Sequence, residues 1–145
     1  MADIKYPKGW DEAKFNAFIR NGLRNLSLKF PVKHEVLKRA RVKRGWYRCA
    51  SCDEVVPVSV PSEPNKSGKK KRIRNVDVDH IDPVINPEKG FENWDTYIER
   101  LFLCGEDGMQ VLCKKCHDIK TKKERAIAKD RKSQQKIIRD TPAPY

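Results

Sequence analysis

Cys49-x-x-Cys52 and Cys113-x-x-Cys116 enclose an Asp79-His80 pair, and His117 follows the second cysteine pair directly. A Cys-x-x-Cys turn brings two sulfurs to within a Zn–S bond length, about 2.3 Å, of one point, so two such turns complete a tetrahedron closed to water. Cys49, Cys52, Cys113 and Cys116 therefore predict a structural Zn2+ that holds the scaffold and does no chemistry. A redox role for either dithiol would leave its duplication unexplained.

Harder chemistry is carried by the residues between and beside the pairs. Asp79 offers an oxygen ligand suited to Mg2+ or Mn2+. His80, with an ordinary pKa near 6.5, is suited to taking a proton from water at neutral pH. Read alone, Asp79 and His80 could equally be a hydrogen-bonded surface pair. His117 is expected in the first turn of the last helix, within reach of a cation bound by Asp79. Two other readings stay open for it: an alternative zinc ligand, or a polar residue without a partner. His34 has no acid, cysteine or histidine pattern around it and reads as a solvated helix residue.

These groups need elements to position them. Asp11 to Leu26 reads as an amphipathic helix, with Phe15, Phe18, Ile19, Leu23 and Leu26 at three- and four-residue steps and Gly22 as a weak point. Pro31 opens a second helix with Val32, Val36, Leu37 and Ala40 on one stripe. Trp46 to Cys49 is a strand entering the first knuckle, and Val55 to Val58 leads out of it. Pro61 to Gly68 is an exposed loop. Arg74 to Val78 reads as one strand. Asn93 caps a helix through Leu103 whose apolar face is Trp94, Ile98, Leu101 and Phe102, and Met109 to Leu112 is the strand entering the second knuckle. A basic helix from about His117 completes the chain. For Asp79 and His80 to approach one region the backbone must turn, and Pro83 is consistent with such a turn.

Composition narrows the partners. With 36% of 145 residues charged and 38% apolar, a generous core is not expected, and a structural metal would supplement it. The formal net charge of +12 is grouped: residues 66 to 74 carry six Lys or Arg and no acid, and residues 114 to 139 carry eleven against three acids. Such footprints suit nucleic-acid phosphates. Lys70, Lys71, Arg72, Arg74, Lys114, Lys115, Lys120, Lys122, Lys123 and Arg125 are the expected backbone contacts. The opening residues carry no apolar segment of signal type, no run approaches a membrane span, and the expected compartment is a reducing one, the cytoplasm.

Taken together, Tyr47 to Cys52, Val78 to Pro83 and Val111 to Thr121 make the chain resemble the HNH endonucleases, specifically members whose ββα-metal core is braced by a four-cysteine zinc. The resemblance implies a small α+β fold: an N-terminal helical extension at 1–45, a nuclease core at 46–125 and a basic C-terminal helix and tail at 126–145. It implies that Asp79 and His117 ligate the catalytic Mg2+ or Mn2+, with Ni2+ or Zn2+ as possible substitutes in vitro, and that His80 is the general base. It further implies a 5′ phosphate and 3′ hydroxyl product, and one nick per active site. The substrate expected is duplex or branched DNA, cut by a monomer or weak dimer that works in a DNA-processing machine, in the host cytoplasm if phage-encoded. One position departs from the family: where an asparagine usually orients the base, this chain has Gly108. Asp107 or a backbone carbonyl would have to hold His80 instead. The competing reading is a zinc-braced, non-catalytic DNA-binding or adaptor protein of a DNA-processing or packaging machine.

Overall fold

A computed structural model of the chain describes residues 3–144. Helix α1 (Glu12–Ser27) begins where the Asp11 carboxylate accepts the Lys14 N–H at 2.8 Å, and it runs through Gly22 without a break. Pro31 opens α2 (Pro31–Ala40), at the position where a helix does not need its N–H. The stripe read for α2 is used as expected. Val36 is buried with Val76, Met109 and Val111, and Val32, Leu37 and Ala40 pack around them.

Three small antiparallel sheets follow. The first is β1 (Arg41–Lys43), β2 (Trp46–Arg48) and β3 (Val55–Pro57), in that order. Gly45, at φ 78°, makes the β1–β2 turn possible in a region where a side chain would be strained. The second pairs β4 (Ser59–Pro61) with β5 (Arg72–Arg74), and the expected exposed loop joins them. The third pairs β6 (Val76–His80) with β7 (Met109–Cys113), from Val76 opposite Cys113 to His80 opposite Met109. Between these two strands in sequence lies α3 (Trp94–Phe102), capped by Asn93 through the Thr96 N–H at 2.8 Å. Helix α4 (Lys114–Asp140) closes the chain directly after β7. The result is a small α+β domain in which two strands and a helix meet beside the cysteine cluster. None of the described helices is long and apolar enough to cross a membrane.

Several expectations are corrected. The strand read as Arg74 to Val78 is two strands split at Asn75, whose backbone does more than extend a ladder. The Asn75 N–H donates to the Val58 carbonyl at 2.9 Å, its side-chain amide to the Pro57 carbonyl at 3.1 Å, and its own carbonyl accepts the Lys114 N–H at 2.9 Å. One residue thus ties the exit of β3, the start of β6 and the start of α4. Helix α4 begins at Lys114, not near His117, because Cys113 already serves as its N-cap. Phe18, Leu26 and Ile98 are exposed although periodicity placed them on apolar faces; Phe18 stacks edge-on against Trp10 at 5.4 Å instead. Tyr97, absent from the expected face of α3, is buried with Leu101 and Val84, and Leu23 of α1 packs against that cluster.

Candidate functional site

The first knuckle folds through local bonds. The Cys49 N–H reaches the Glu54 carbonyl at 2.9 Å, and Asp53 closes the turn at φ 62°, donating its N–H to the Cys49 carbonyl at 3.0 Å. The Ala50 N–H then bonds the Val111 carbonyl at 2.8 Å, which seats this knuckle on β7 beside the second. As a result the sulfurs of Cys49, Cys52, Cys113 and Cys116 all lie within 4.8 Å of one another, with Cys52 and Cys113 at 4.0 Å. A zinc tetrahedron with bonds of about 2.3 Å needs sulfurs about 3.8 Å apart, so the cluster fits a structural zinc. Cys104 stands apart from it, against Gly108.

The protonation chemistry of the cluster also suits a cation. Burial pushes the Cys49 thiol up, but backbone N–H groups of Cys113, Cys52 and Ser51 outweigh it and bring the pKa down to about 6. Burial pushes the Cys113 thiol up, and the nearby sulfurs of Cys116 and Cys49 add to that. One thiolate therefore forms readily and opposes the ionisation of its neighbours. A dication removes that opposition, which is why thiolate sites bind metal with release of protons.

At the other end of the β6–β7 pair lies a cleft of about 530 Å³, lined by Asp79, His80, His117, Lys120, Glu124 and Arg125 among others. Strand alternation sends Asp77 and Asp79 toward α4, and Val76 and Val78 toward the core under α2. His80 is the last residue of β6, where the cleft opens around the strand end. His117 Nε2 lies 3.7 Å from Asp79 Oδ1, and His117 Nδ1 lies 3.9 Å from Asp77 Oδ2. The donors of Asp79 and His117 are thus close enough to share one cation. Gln110, opposite Asp79 in the ladder, donates to Asp79 Oδ2 at 3.4 Å.

His80 is held without an asparagine. Its Nε2 lies 2.9 Å from the Leu101 carbonyl at the end of α3. A carbonyl only accepts, so Nε2 carries the proton and Nδ1 keeps the lone pair. Burial lowers the pKa of His80 below its ordinary 6.5, and the Leu101 carbonyl offsets only part of this. Both the direction of the shift and the single acceptor favour the neutral ring. Asp107 takes no part, since its carboxylate is exposed and pairs with Arg39 at 3.7 Å. Gly108 contributes backbone instead of a side chain: its carbonyl accepts the Ile81 N–H at 3.0 Å, next to His80. A Cβ at this position would sit 2.6 Å from the Cβ of Cys104, so the close approach of these two turns excludes one.

The basic residues divide into two kinds. Lys70, Lys71, Arg72, Arg74, Lys114, Lys115, Lys122, Lys123 and Arg125 are exposed. Arg72 is steadied by the Ser59 carbonyl at 2.7 Å, Arg74 by the Val76 carbonyl at 2.7 Å, and Lys114 faces Asp118 at 3.6 Å. Lys120 differs from all of these. Its ammonium is inside the cleft, 2.9 Å from Asp79 Oδ2 and 2.6 Å from Glu124 Oε1. Burial lowers its pKa, but hydrogen bonds to Glu124 and Asp79 outweigh that, and the net shift is upward. His34 is exposed on α2.

The structure places Asp79, His80 and His117 around one cleft, and several contacts that position them carry no motif in the sequence. Leu101 acts through its carbonyl, which no residue type signals. Asn75 looked like part of a strand. Glu124 carries no motif around it, although its spacing of seven from His117 puts both on one face of α4. No family model matches the chain, and comparisons with curated proteins and with solved structures find no significant match.

Proposed function

We propose that this protein is a divalent-metal-dependent endonuclease of the HNH type that hydrolyses DNA phosphodiester bonds, one strand per active site. The observation that carries the reading is the single cleft shared by Asp79, His80 and His117, with His80 anchored through Nε2 so that Nδ1 is the basic nitrogen. The cysteine cluster acts as the brace, fixing where α4 leaves β7 and hence where His117 stands.

His80 Nδ1 takes the proton from the attacking water, and the Leu101 carbonyl stabilises the imidazolium that results. Asp79 and His117 hold the catalytic cation, which when bound supplies Lewis-acid stabilisation of the charge that accumulates on the phosphate oxygens. Arg24, Arg125, Arg131 and Lys132 line the same cleft and supply positive charge along the strand being cut. The exposed lysines of the β4–β5 loop lengthen that contact without reading sequence. DNA, duplex or branched, is the partner, and the reducing cytoplasm is where four thiols would persist as metal ligands.

A second reading, a zinc-braced DNA-binding or adaptor protein, is favoured by one observation: the Lys120 ammonium already pairs with both Asp79 and Glu124. Supercoiled plasmid incubated with zinc-loaded protein and Mg2+ or Mn2+ separates the two. Nicked circles that disappear in His80→Ala support the endonuclease. Retarded but uncut plasmid in both metals overturns it in favour of the adaptor.

A further inference from the structure

Among the lysines of α4, Lys120 alone is withdrawn from solvent. Its ammonium has three N–H groups and three oxygen acceptors: Asp79 Oδ2 at 2.9 Å, Glu124 Oε1 at 2.6 Å and the His80 carbonyl at 2.9 Å. Two carboxylate oxygens and a carbonyl converging on one positive centre is the environment a hard dication requires. His117 Nε2 lies 3.7 Å from the second oxygen of the same Asp79 carboxylate. His117, Lys120 and Glu124 are spaced three and four apart on α4 and so share one face of the helix.

We propose that Lys120 is the resident cation of this cleft and that a divalent cation enters by displacing its ammonium, taking Glu124 and the His80 carbonyl as ligands alongside Asp79 and His117. The proposal rests on the reading that Asp79 and His117 hold the catalytic cation, and adds a ligand and a guard to it. Simultaneous occupancy is disfavoured, because an ammonium and a dication bound to one carboxylate in a partly buried cleft repel each other strongly. Displacement solves this by a side-chain rotation alone. Lys120 has a flexible four-carbon stem, and once out of the carboxylate cage its ammonium is placed to pair with a DNA phosphate. The cleft then exchanges one positive charge for two only when a dication is present. Without one, Lys120 keeps Asp79 and Glu124 from facing each other as unpaired carboxylates.

The test is Mn2+ binding to the zinc-loaded 145-residue chain without DNA, followed by calorimetry and by loss of the free Mn2+ electron-resonance signal. Lys120→Met should bind Mn2+ at least about tenfold more tightly than the wild type, because removing the ammonium leaves two partly buried carboxylates without their lysine cation. Adding Glu124→Gln to Lys120→Met should remove that gain. Far-UV circular dichroism and zinc content check folding, and Lys120→Gln replaces Lys120→Met if the latter does not fold. Unchanged or weaker Mn2+ affinity in the Lys120 variant, or indifference to Glu124→Gln in its background, overturns the proposal. Those outcomes leave the endonuclease reading standing if the wild type still binds Mn2+ through Asp79 and still nicks plasmid. Absence of Mn2+ binding in every variant defeats both.

Discussion

The two ends of the β6–β7 pair are built from different materials. At the Cys113 end, four sulfurs gather in one cluster, assembled by local turn bonds at Cys49 and Asp53, by the Ala50–Val111 bond and by the Asn75 tie to α4. At the His80 end, the groups come from β6, from the last turn of α3 and from successive turns of α4, and they line an open cleft. Four thiolates around one zinc would leave that ion no open coordination position. The open end is a cleft of about 530 Å³ whose groups are joined by contacts between elements, with the Lys120–Glu124 pair as a local one. On the proposed function, a small domain with a modest core puts its stability in one place and its reactive groups in another, a few residues along the same two strands. Removing either end should produce a distinct failure.

The largest effect belongs to the thiolate end. Cys49→Ser or Cys113→Ser, or chelation of the zinc, should cost on the order of 10 kcal/mol of folding free energy, read as loss of cooperative thermal unfolding together with loss of bound zinc. A variant that stays folded without metal would show that the cluster is not the brace. Next in size is His80, the proposed base. His80→Ala should leave folding and zinc content intact and slow plasmid nicking by about 10²–10⁴-fold, the usual contribution of a positioned general base. The pH dependence follows from the same ring. Burial depresses the folded pKa of His80, and the base works only when unprotonated. Activity is therefore present above that pKa and lost as pH falls through it, so the acid limb of the rate profile should have its midpoint below 6.5. A midpoint above that value would mean that another group is titrating.

Smaller effects sharpen the comparison. Gly108→Asn, which installs the side chain that the proposed HNH reading expects there, should destabilise the fold by roughly 1–3 kcal/mol as an overpacking change. The new Cβ meets Cys104, and His80 already has its acceptor in Leu101. Denaturant titration measures the cost; a stabilised or more active variant would contradict this account of the turn. Smallest is the β4–β5 loop. Replacing Lys69, Lys70 and Lys71 with alanine should leave stability unchanged and make the slope of log binding constant against log salt shallower, by roughly one for each DNA phosphate these lysines neutralise. An unchanged slope would place the loop away from the bound DNA.

How much of this was legible beforehand depended on the kind of interaction. The thiolate cluster was legible because spacing alone dictates it: two residues between cysteines put both sulfurs on one turn. The stripe of α2 was legible because Val32, Val36 and Ala40 repeat at helical steps and every one of them is used. Phe18 and Leu26 repeat in the same way and are exposed, because periodicity identifies a face without saying whether a neighbour covers it. Asp79, His80 and His117 could be named from their types, but what holds them could not. The acceptor for His80 is a main-chain oxygen delivered by the packing of α3, and the Lys120 ammonium reached Asp79 through the pitch of α4 across a strand pair. Both are tertiary facts with no local signal. The early start of α4 was missed because Cys113 is not a usual cap; its neighbours form the helix there because Asn75 and the cluster hold the first turn.

Anomalous diffraction from crystals of the zinc-loaded protein soaked in Mn2+ addresses both ends at once. The account predicts a zinc-edge peak enclosed by the sulfurs of Cys49, Cys52, Cys113 and Cys116, and a separate manganese peak in the cleft in contact with Asp79 and His117. Manganese confined to the sulfurs, or found away from Asp79 and His117, would contradict the division of labour between a closed brace and an open reactive cleft.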